Sequence, residues 1–435
     1  MYFPILLAFL LTISPLTYGE YFEPVAFFDR DYAPSDIALS NDTSTIAISD
    51  SSLNSSSGEV KVYSLINGEW LQKGSTLSGP VNSRFGISIA LDSTGDILFV
   101  GANRDDKESN SNDNCGSVSC FIFENGDWTS KGNKLYGENS SDDFGYNLKC
   151  SIDGETLIVA SRQSDLNGEN SGTILTFKFE NDNWHRIGNR IHGSRIHARY
   201  GELMELDDSG SLLAVSDSGL NEVRVFKFLN SIWSLQGSPI NGSSTERFGS
   251  GLGLSGNGLI LAIGSPRNYD DGGTVQTYKF DGNDWIEYNQ SIDQQIGYED
   301  FGYGSIALNG DGSFIYVGDS RSDLFGIDSG SISIFANEDG FWQKLSVEIK
   351  GEKVYNYACE KFSISTNGEY ILYSSNEFVR LKKLNSERLP SSMNLFELKL
   401  YNSQDLNDWS LIDTRSFYLE GDKNFFKTTF EKVQN

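Results

Sequence analysis

The chain has 435 residues and carries 60 Asp and Glu against 34 Lys and Arg, for a formal net charge of −26 at pH 7. Phosphate binding relies on clustered Lys and Arg, so this balance argues against a nucleic-acid partner. Four cysteines are too few for a disulfide scaffold, and a chain of this length can bury a core without such staples.

Residues 1–19 open on an apolar run from Ile5 to Ile13, followed by Ser14, Pro15, Thr17 and Gly19. That pattern predicts a cleaved secretory signal, because the run is too short to span a bilayer. No later stretch has the length and apolarity of a membrane span, and the polar end from Thr428 to Asn435 has no lipid-attachment pattern. The expectation is an exported, soluble, monomeric protein with no membrane insertion. Five Asn-X-Ser/Thr sequons, at Asn41, Asn54, Asn139, Asn241 and Asn289, agree with a eukaryotic secretory route.

From there the chain repeats itself. Its seven tryptophans, Trp70, Trp128, Trp184, Trp233, Trp285, Trp342 and Trp409, are spaced by 58, 56, 49, 52, 57 and 67 residues, a period typical of solenoids, propellers and arrays. One copy runs from Phe85-Gly86-Ile87-Ser88-Ile89-Ala90-Leu91 through a turn at Gly95 to Ile97–Ala102, then across a polar loop to Gly116–Phe123 and Asn125-Gly126-Asp127-Trp128. The first segment alternates bulky and small residues, the period-two pattern of a strand whose second face permits close approach. The second segment is apolar on both faces, as a strand covered by neighbouring sheets must be. Asn125-Gly126 is the preferred pair for a tight hairpin with two positive φ angles. The opening phrase returns at Tyr32-Ala33, Phe85-Gly86, Phe144-Gly145, Tyr200-Gly201, Phe248-Gly249, Phe301-Gly302 and Tyr357-Ala358.

Four strands per copy cannot cover both faces of a sheet, so copies must stack, and radial stacking hides the edges that an open sheet exposes. The prediction is an all-β, seven-bladed β-propeller of four-stranded antiparallel blades occupying residues 20–435, with blades starting near 32, 85, 144, 200, 248, 301 and 357. Pro24 to Phe28 read as an outer strand without its own blade, placed to close the last blade beside Trp409 to Ile412.

The combination of Phe-Gly, a turn, Gly-Ala or Gly-Ser, and Gly-X-Val resembles the FG-GAP repeat of integrin α-chain heads. Phe248-Gly249 with Ile263-Gly264-Ser265-Pro266 and Gly273-Thr274-Val275 is the nearest copy. The resemblance implies an extracellular propeller acting in adhesion or matrix binding. Calcium-binding copies of that family carry an Asp-rich DxDxDG run between the first two strands. Here those turns read Asp92-Ser93-Thr94-Gly95 or Asp207-Asp208-Ser209-Gly210, without the six or more oxygens calcium takes, so the family's metal sites are not carried over and no cofactor is expected.

The candidate binding residues lie in the polar loops between second and third strands. Arg104, Arg267 and Arg321 occupy matching positions with Arg162 one residue off, each followed by acids: Asp105 and Asp106, Asp270 and Asp271, Asp323, and Asp165. Either these arginines pair with neighbouring aspartates and fix loop shape, or the loops form a charged ring that grips an extracellular protein or glycan. The one basic island gathers His185, Arg186, Arg190, His192, Arg195, His197 and Arg199 on an outer strand and the loop after it, a solvated surface, an anion-binding or partner-docking patch, or a metal site if the loop folds back. Cys115 and Cys120 could close a small disulfide loop, whereas Cys150 and Cys359 fall at apolar positions of the repeat. No nucleophile–histidine spacing, HEXXH or phosphate loop occurs, and carboxylates are too numerous to single out a glycosidase pair. A non-catalytic binding or adhesion module is the leading expectation. A secreted polysaccharide-acting enzyme and a structural subunit of an extracellular assembly stand beside it.

Overall fold

The computed structural model describes residues 11–14, 22–30, 33–108, 112–217, 219–243, 247–266, 273–293, 300–323, 326–338, 340–384, 394–402 and 410–419. The chain falls into two compact units. One, Phe22–Leu384, holds the repeats. The other contains a three-stranded antiparallel sheet of Leu11–Ser14, Asn394–Asn402 and Ser410–Leu419. The span expected for a single propeller, 20–435, is therefore not one contact unit.

Within Phe22–Leu384 the strands group into antiparallel quartets whose innermost members are Asp36–Leu39, Phe85–Leu91, Phe144–Cys150, Met204–Leu206, Gly251–Leu254, Gly304–Leu308 and Phe362–Ile364. The copy read from the sequence becomes Phe85–Leu91, Ile97–Ala102, Ser117–Glu124 and Asp127–Ser130, paired in that order. At its hairpin Asn125 and Gly126 both hold positive φ, 54° and 88°, as the turn chemistry requires. The last quartet is completed from the other end of the chain. Phe362–Ile364, Tyr370–Ser374 and Phe378–Leu384 are followed in the sheet by Phe22–Asp29, which pairs antiparallel with Phe378–Leu384. This corrects the expected closing partner: Ser410–Leu419 pairs instead with Asn394–Asn402, and Trp409 lies outside the described residues. Tyr32 also lies outside them.

The aromatic–glycine phrase works at the joints between sheets. Phe85 is buried, and Gly86 holds φ +86° where an added Cβ would come within 2.9 Å of Ser49 Cβ of the preceding sheet. Gly101 on the second strand lies so close to the next sheet that a Cβ there would meet the Gly145 carbonyl oxygen at 2.1 Å. Only residues without side chains admit this approach, which is why the small residues recur.

Each cluster of buried apolar side chains accordingly spans two sheets. Phe99, Val118 and Cys120 of one pack with Phe144, Leu157, Val159 and Trp184 of the next. Five of the tryptophans are polar fasteners of these seams, whereas the buried Nε1 of Trp70 finds no partner among the described residues. Trp128 Nε1 donates to Lys73 O at 2.7 Å, Trp184 to Lys131 O at 3.0 Å and Trp285 to Gln236 O at 3.0 Å, each reaching the outer edge of the preceding sheet. Trp233 and Trp342 donate to the hydroxyls of Thr176 and Thr277.

A second set of joints runs around the ends of the inner strands. Asp42 N–H donates to Ser93 O at 3.1 Å, Ser93 to Ile152 O at 2.8 Å, and Ile152 to Asp208 O at 3.0 Å. The series continues with Asp208 to Gly256 O at 2.9 Å, Asn257 to Gly310 O at 2.8 Å, and Gly310 to Thr366 O at 2.7 Å. The turns after successive inner strands are thus linked one to the next in chain order.

Candidate functional site at the channel mouth

The inner strands enclose a cavity of about 830 Å³ to which every quartet contributes a wall, for example Asp36, Ile89, Lys149, Glu205, Ser250, Ser305 and Lys361. Its size is that of a pocket for a small or oligomeric ligand. The charges inside it are largely spoken for. Lys149 Nζ bonds both oxygens of Glu205 in the next sheet, at 2.9 Å each. Burial works against the Lys149 charge, but the Glu205 carboxylate, with smaller help from Asp36, outweighs it and the ammonium pKa is raised. Asp36 accepts the Ile37 N–H and, from the adjacent sheet, the Ile89 N–H, both at 2.9 Å. These groups tie neighbouring sheets together.

The mouth differs. Loops from second to third strands and loops entering each inner strand meet there, as the bonds from Arg104 N–H to Ser83 O and from Gln163 N–H to Asp142 O show, both at 3.2 Å. Arg162 lies with its guanidinium 3.7 Å over the Tyr146 ring, donates to Asp143 Oδ2 at 3.0 Å and reaches Glu202 at 3.4 Å. Asp143, itself buried, accepts a second bond from Asn103 Nδ2 at 3.1 Å. Arg84 stands close to Arg104 and Arg162. Burial first, then the Arg104 charge, with a smaller push from Arg162, lowers the Arg84 pKa against the opposing pull of Asp143. Further round the rim, Arg321 pairs with Asp300 at 3.2 Å and Arg247 lies 5.2 Å from the centre of the Tyr303 ring.

Of the residues singled out from the sequence, Arg104, Arg162 and Arg321 come to this rim. Arg267, Asp270 and Asp271 lie outside the described residues. The remaining acids do not pair with the arginines beside them in sequence. Asp105 is buried, accepts from Ser117 Oγ at 2.6 Å and forms an ion pair with Lys134. Asp106 accepts the Asn114 N–H, Asp165 the Asn170 N–H and Asp323 the Asp328 N–H, at 2.8, 2.7 and 2.8 Å, so these carboxylates brace their own loops.

Two rim arginines, Arg84 and Arg247, escaped the sequence reading, and a third, Arg199, stood there only as the end of the basic island. The signal was available, since each immediately precedes the aromatic of a repeat, as Arg84-Phe85, Arg199-Tyr200 and Arg247-Phe248. All three hold left-handed backbone, with φ of 55°, 48° and 52°. A residue with a Cβ pays about 1 kcal/mol or more to sit there.

The basic island divides among separate partners. Arg186 and Arg190 both clasp Glu138, at 2.7 and 2.8 Å, while Arg195 reaches the buried Asp217 at 2.9 Å. His192 Nδ1 lies 3.0 Å from Thr173 Oγ1, His197 Nδ1 lies 3.4 Å from Asn170 Nδ2, and His185 stands opposite Lys178 in the sheet. Among the described residues no three His, Cys, Asp or Glu side chains gather as metal ligands. Asn54, Asn139 and Asn241 of the sequons are exposed, whereas Asn41 and Asn289 are partly buried.

The expected Cys115–Cys120 bridge is corrected: all four cysteines are free thiols. Cys120 lies within the extended strand Ser117–Glu124 and Cys115 just before it. At about 3.3 Å of rise per residue, a strand carries such a pair well beyond the roughly 4.4–6.8 Å Cα separation of a disulfide. Burial pushes the Cys115 thiol up to about 11 and Cys150 to about 12, and raises Cys120 and Cys359 as well. Native protein treated with iodoacetamide at pH 8 is therefore expected to stay unmodified, and urea-unfolded, unreduced protein to gain four adducts by mass spectrometry. Only two adducts after unfolding would mean a bridge exists.

No family model matches the chain, and no curated protein matches it by sequence. Solved structures do. A candidate 6-phosphogluconolactonase of Bacteroides uniformis aligns at TM-score 0.51 and 14% identity, covering 87% of this chain and 97% of its own. The RRP9 WD40 repeats align at 0.53 and 12%, over 86% of this chain and all of theirs, 100%. A chain of the mitotic checkpoint complex aligns at 0.56 and 15%, over 85% of this chain and 94% of its own. The chain is an all-β propeller built of four-stranded antiparallel blades. At these identities the likeness concerns the fold alone. Among the described residues no helix is long and apolar enough to cross a membrane.

Proposed function

We propose that the protein is an exported, non-catalytic binding module, a seven-bladed propeller that holds an extracellular protein or glycan on the face where its arginine-lined mouth opens. The observation that carries this reading is the contrast between the cavity and its rim. Inside, Lys149, Glu205 and Asp36 are spent on joints between blades. At the rim, Arg84, Arg104 and Arg199 have no ion-pair partner among the described residues, and Arg104 and Arg199 are exposed. Binding surfaces favour such arginine and aromatic groups on loops held by a rigid scaffold. The apolar leader, the sequons and the FG-GAP resemblance support an extracellular setting.

Polysaccharide hydrolysis has less support. It asks for two carboxylates free to exchange protons with substrate. Asp36, Glu202, Glu205 and Asp300 each already engage a cation or backbone N–H. The test is an array of glycans and extracellular proteins probed with the purified protein and with a rim variant carrying Arg104→Glu and Arg199→Glu. Binding to at least one array member that the double variant loses is expected. Wild-type signal no higher than that of an unrelated propeller would end the proposal.

A further inference from the structure

Resting on that reading, the geometry points to the chemistry of the ligand: we infer that the cleft between the second and third blades at the mouth binds the carboxylate or sulfate group of an acidic oligosaccharide. The Arg104 N–H bonds Ser83 O, next to Arg84, at 3.2 Å, and Asn103, next to Arg104, shares Asp143 with Arg162, so the three arginines gather from two blades near that buried carboxylate, with Glu202 at the far side of Arg162. One guanidinium is anchored: Arg162 is fixed by Asp143 and flattened on Tyr146, which lines the cavity. The other two have no ion-pair partner among the described residues. In a chain of net charge −26, three guanidiniums set against the two carboxylates of Asp143 and Glu202 leave a local positive excess to which an anion is attracted. The guanidinium fork matches a planar or tetrahedral oxyanion through paired hydrogen bonds.

The surroundings favour a sugar as the bearer of that anion. Through Tyr146 and Glu202, both of which Arg162 touches, the site adjoins a concave cavity of about 830 Å³, room for a few pyranose rings but not for a folded partner. Tyr303, which lines the same cavity from the sixth quartet, is half exposed, and an exposed ring offers a flat apolar surface to the C–H face of a pyranose. Arg247 beside it supplies a second cation further round the rim.

The backbone provides a clean variant. Arg84 holds φ 55°, so Arg84→Gly removes the guanidinium while relieving the conformation, and the variant is expected to unfold at the same or a higher urea concentration than the parent. Calorimetric titrations of the full chain would use a sulfated heparin-derived hexasaccharide, a carboxylate-bearing oligogalacturonate and neutral maltohexaose. At least one acidic oligosaccharide is expected to bind, more weakly as salt rises, and the arm that binds identifies sulfate or carboxylate as the source. Arg84→Gly and Arg104→Gln should each weaken it about tenfold, and Arg186→Gln on the outer strand should not. Equal affinity for maltohexaose, or an acidic ligand indifferent to both rim variants, would overturn the inference. Array binding that a bulky label on the rim blocks but these arginine variants leave intact would sink this inference alone, with the loop-face reading still standing.

Discussion

Deleting Phe22–Asp29 is expected to abolish cooperative folding of the blade unit, a loss of more than about 5 kcal/mol and so comparable to the whole stability of a typical domain. The strand pairs along its length with Phe378–Leu384, and it comes from the opposite end of the unit, so it is the bond that makes the ring a ring. Without it the last sheet keeps three strands and presents a bare edge, the usual template for unwanted pairing with another chain. The apolar face would suffer as well. Ala26 is buried and Phe28 packs against a cluster that includes Ile37, Ile46, Leu372 and Leu381 from the first and last quartets. Size-exclusion chromatography with urea unfolding followed by tryptophan fluorescence checks this: aggregates or an early, broad transition are expected. Adding a synthetic peptide of residues 22–30 in trans should restore part of the signal, as strand addition does at other open edges. A monomeric deletion variant with the parent's unfolding midpoint would show that closure lies elsewhere.

The second large effect is expected at a seam. Trp184→Ala should destabilise the protein by about 3–5 kcal/mol, the range for removing a buried aromatic without collapse of the site. Trp184 is 4% exposed. Its ring meets Phe99 of the preceding sheet edge-on at 5.3 Å and Phe179 of its own at 5.2 Å. Its Nε1 satisfies Lys131 O across the joint. Trp184→Phe keeps a ring and forfeits the donor, so a smaller cost of about 1–2 kcal/mol is expected. The order of the two variants is the informative part. Should Trp184→Ala cost under about 1 kcal/mol by urea titration, the tryptophans would be surface markers of the repeat and not its fasteners.

These joints explain how much of the molecule could be read in advance. The tryptophan period, the aromatic–glycine phrase and the Asn-Gly turn all report local requirements that recur in each copy, and repetition makes a local requirement visible. Phe85–Leu91 and Ile97–Ala102 were therefore legible to the residue. The closing strand was legible only as an outer strand lacking a blade, because pairing between residues about 350 apart leaves no mark in any local window. The strands begin three or four residues after Tyr200, Phe248 and Phe301, because these aromatics stand outside the ladder, whereas Phe85 and Phe144 pair with Ala102 and Ser161 ahead of a bulge.

The rim was half legible. Arg104, Arg162 and Arg321 stood out through their place in the longest loops and Arg199 only as part of the basic island, whereas Arg84 and Arg247 were hidden beside the more conspicuous aromatics. The pairing of arginines with acids next to them in sequence failed for a physical reason. Short Asp side chains reach their own loop's N–H groups first, leaving the long guanidiniums to find Asp143, Glu202 and Asp300 from other loops.

The linked turns at the ends of the inner strands carry one more consequence. Each turn between the first and the last of the series uses an N–H toward one neighbour and a carbonyl toward the other, and all the described links run in the same rotational sense. Donor and acceptor are main-chain atoms, indifferent to side-chain identity, so a duplicated copy slotted between any two others would find both of its connections already waiting. Such a molecule can gain or lose a module with little new chemistry, and divergence among its copies is confined to what each one displays outward.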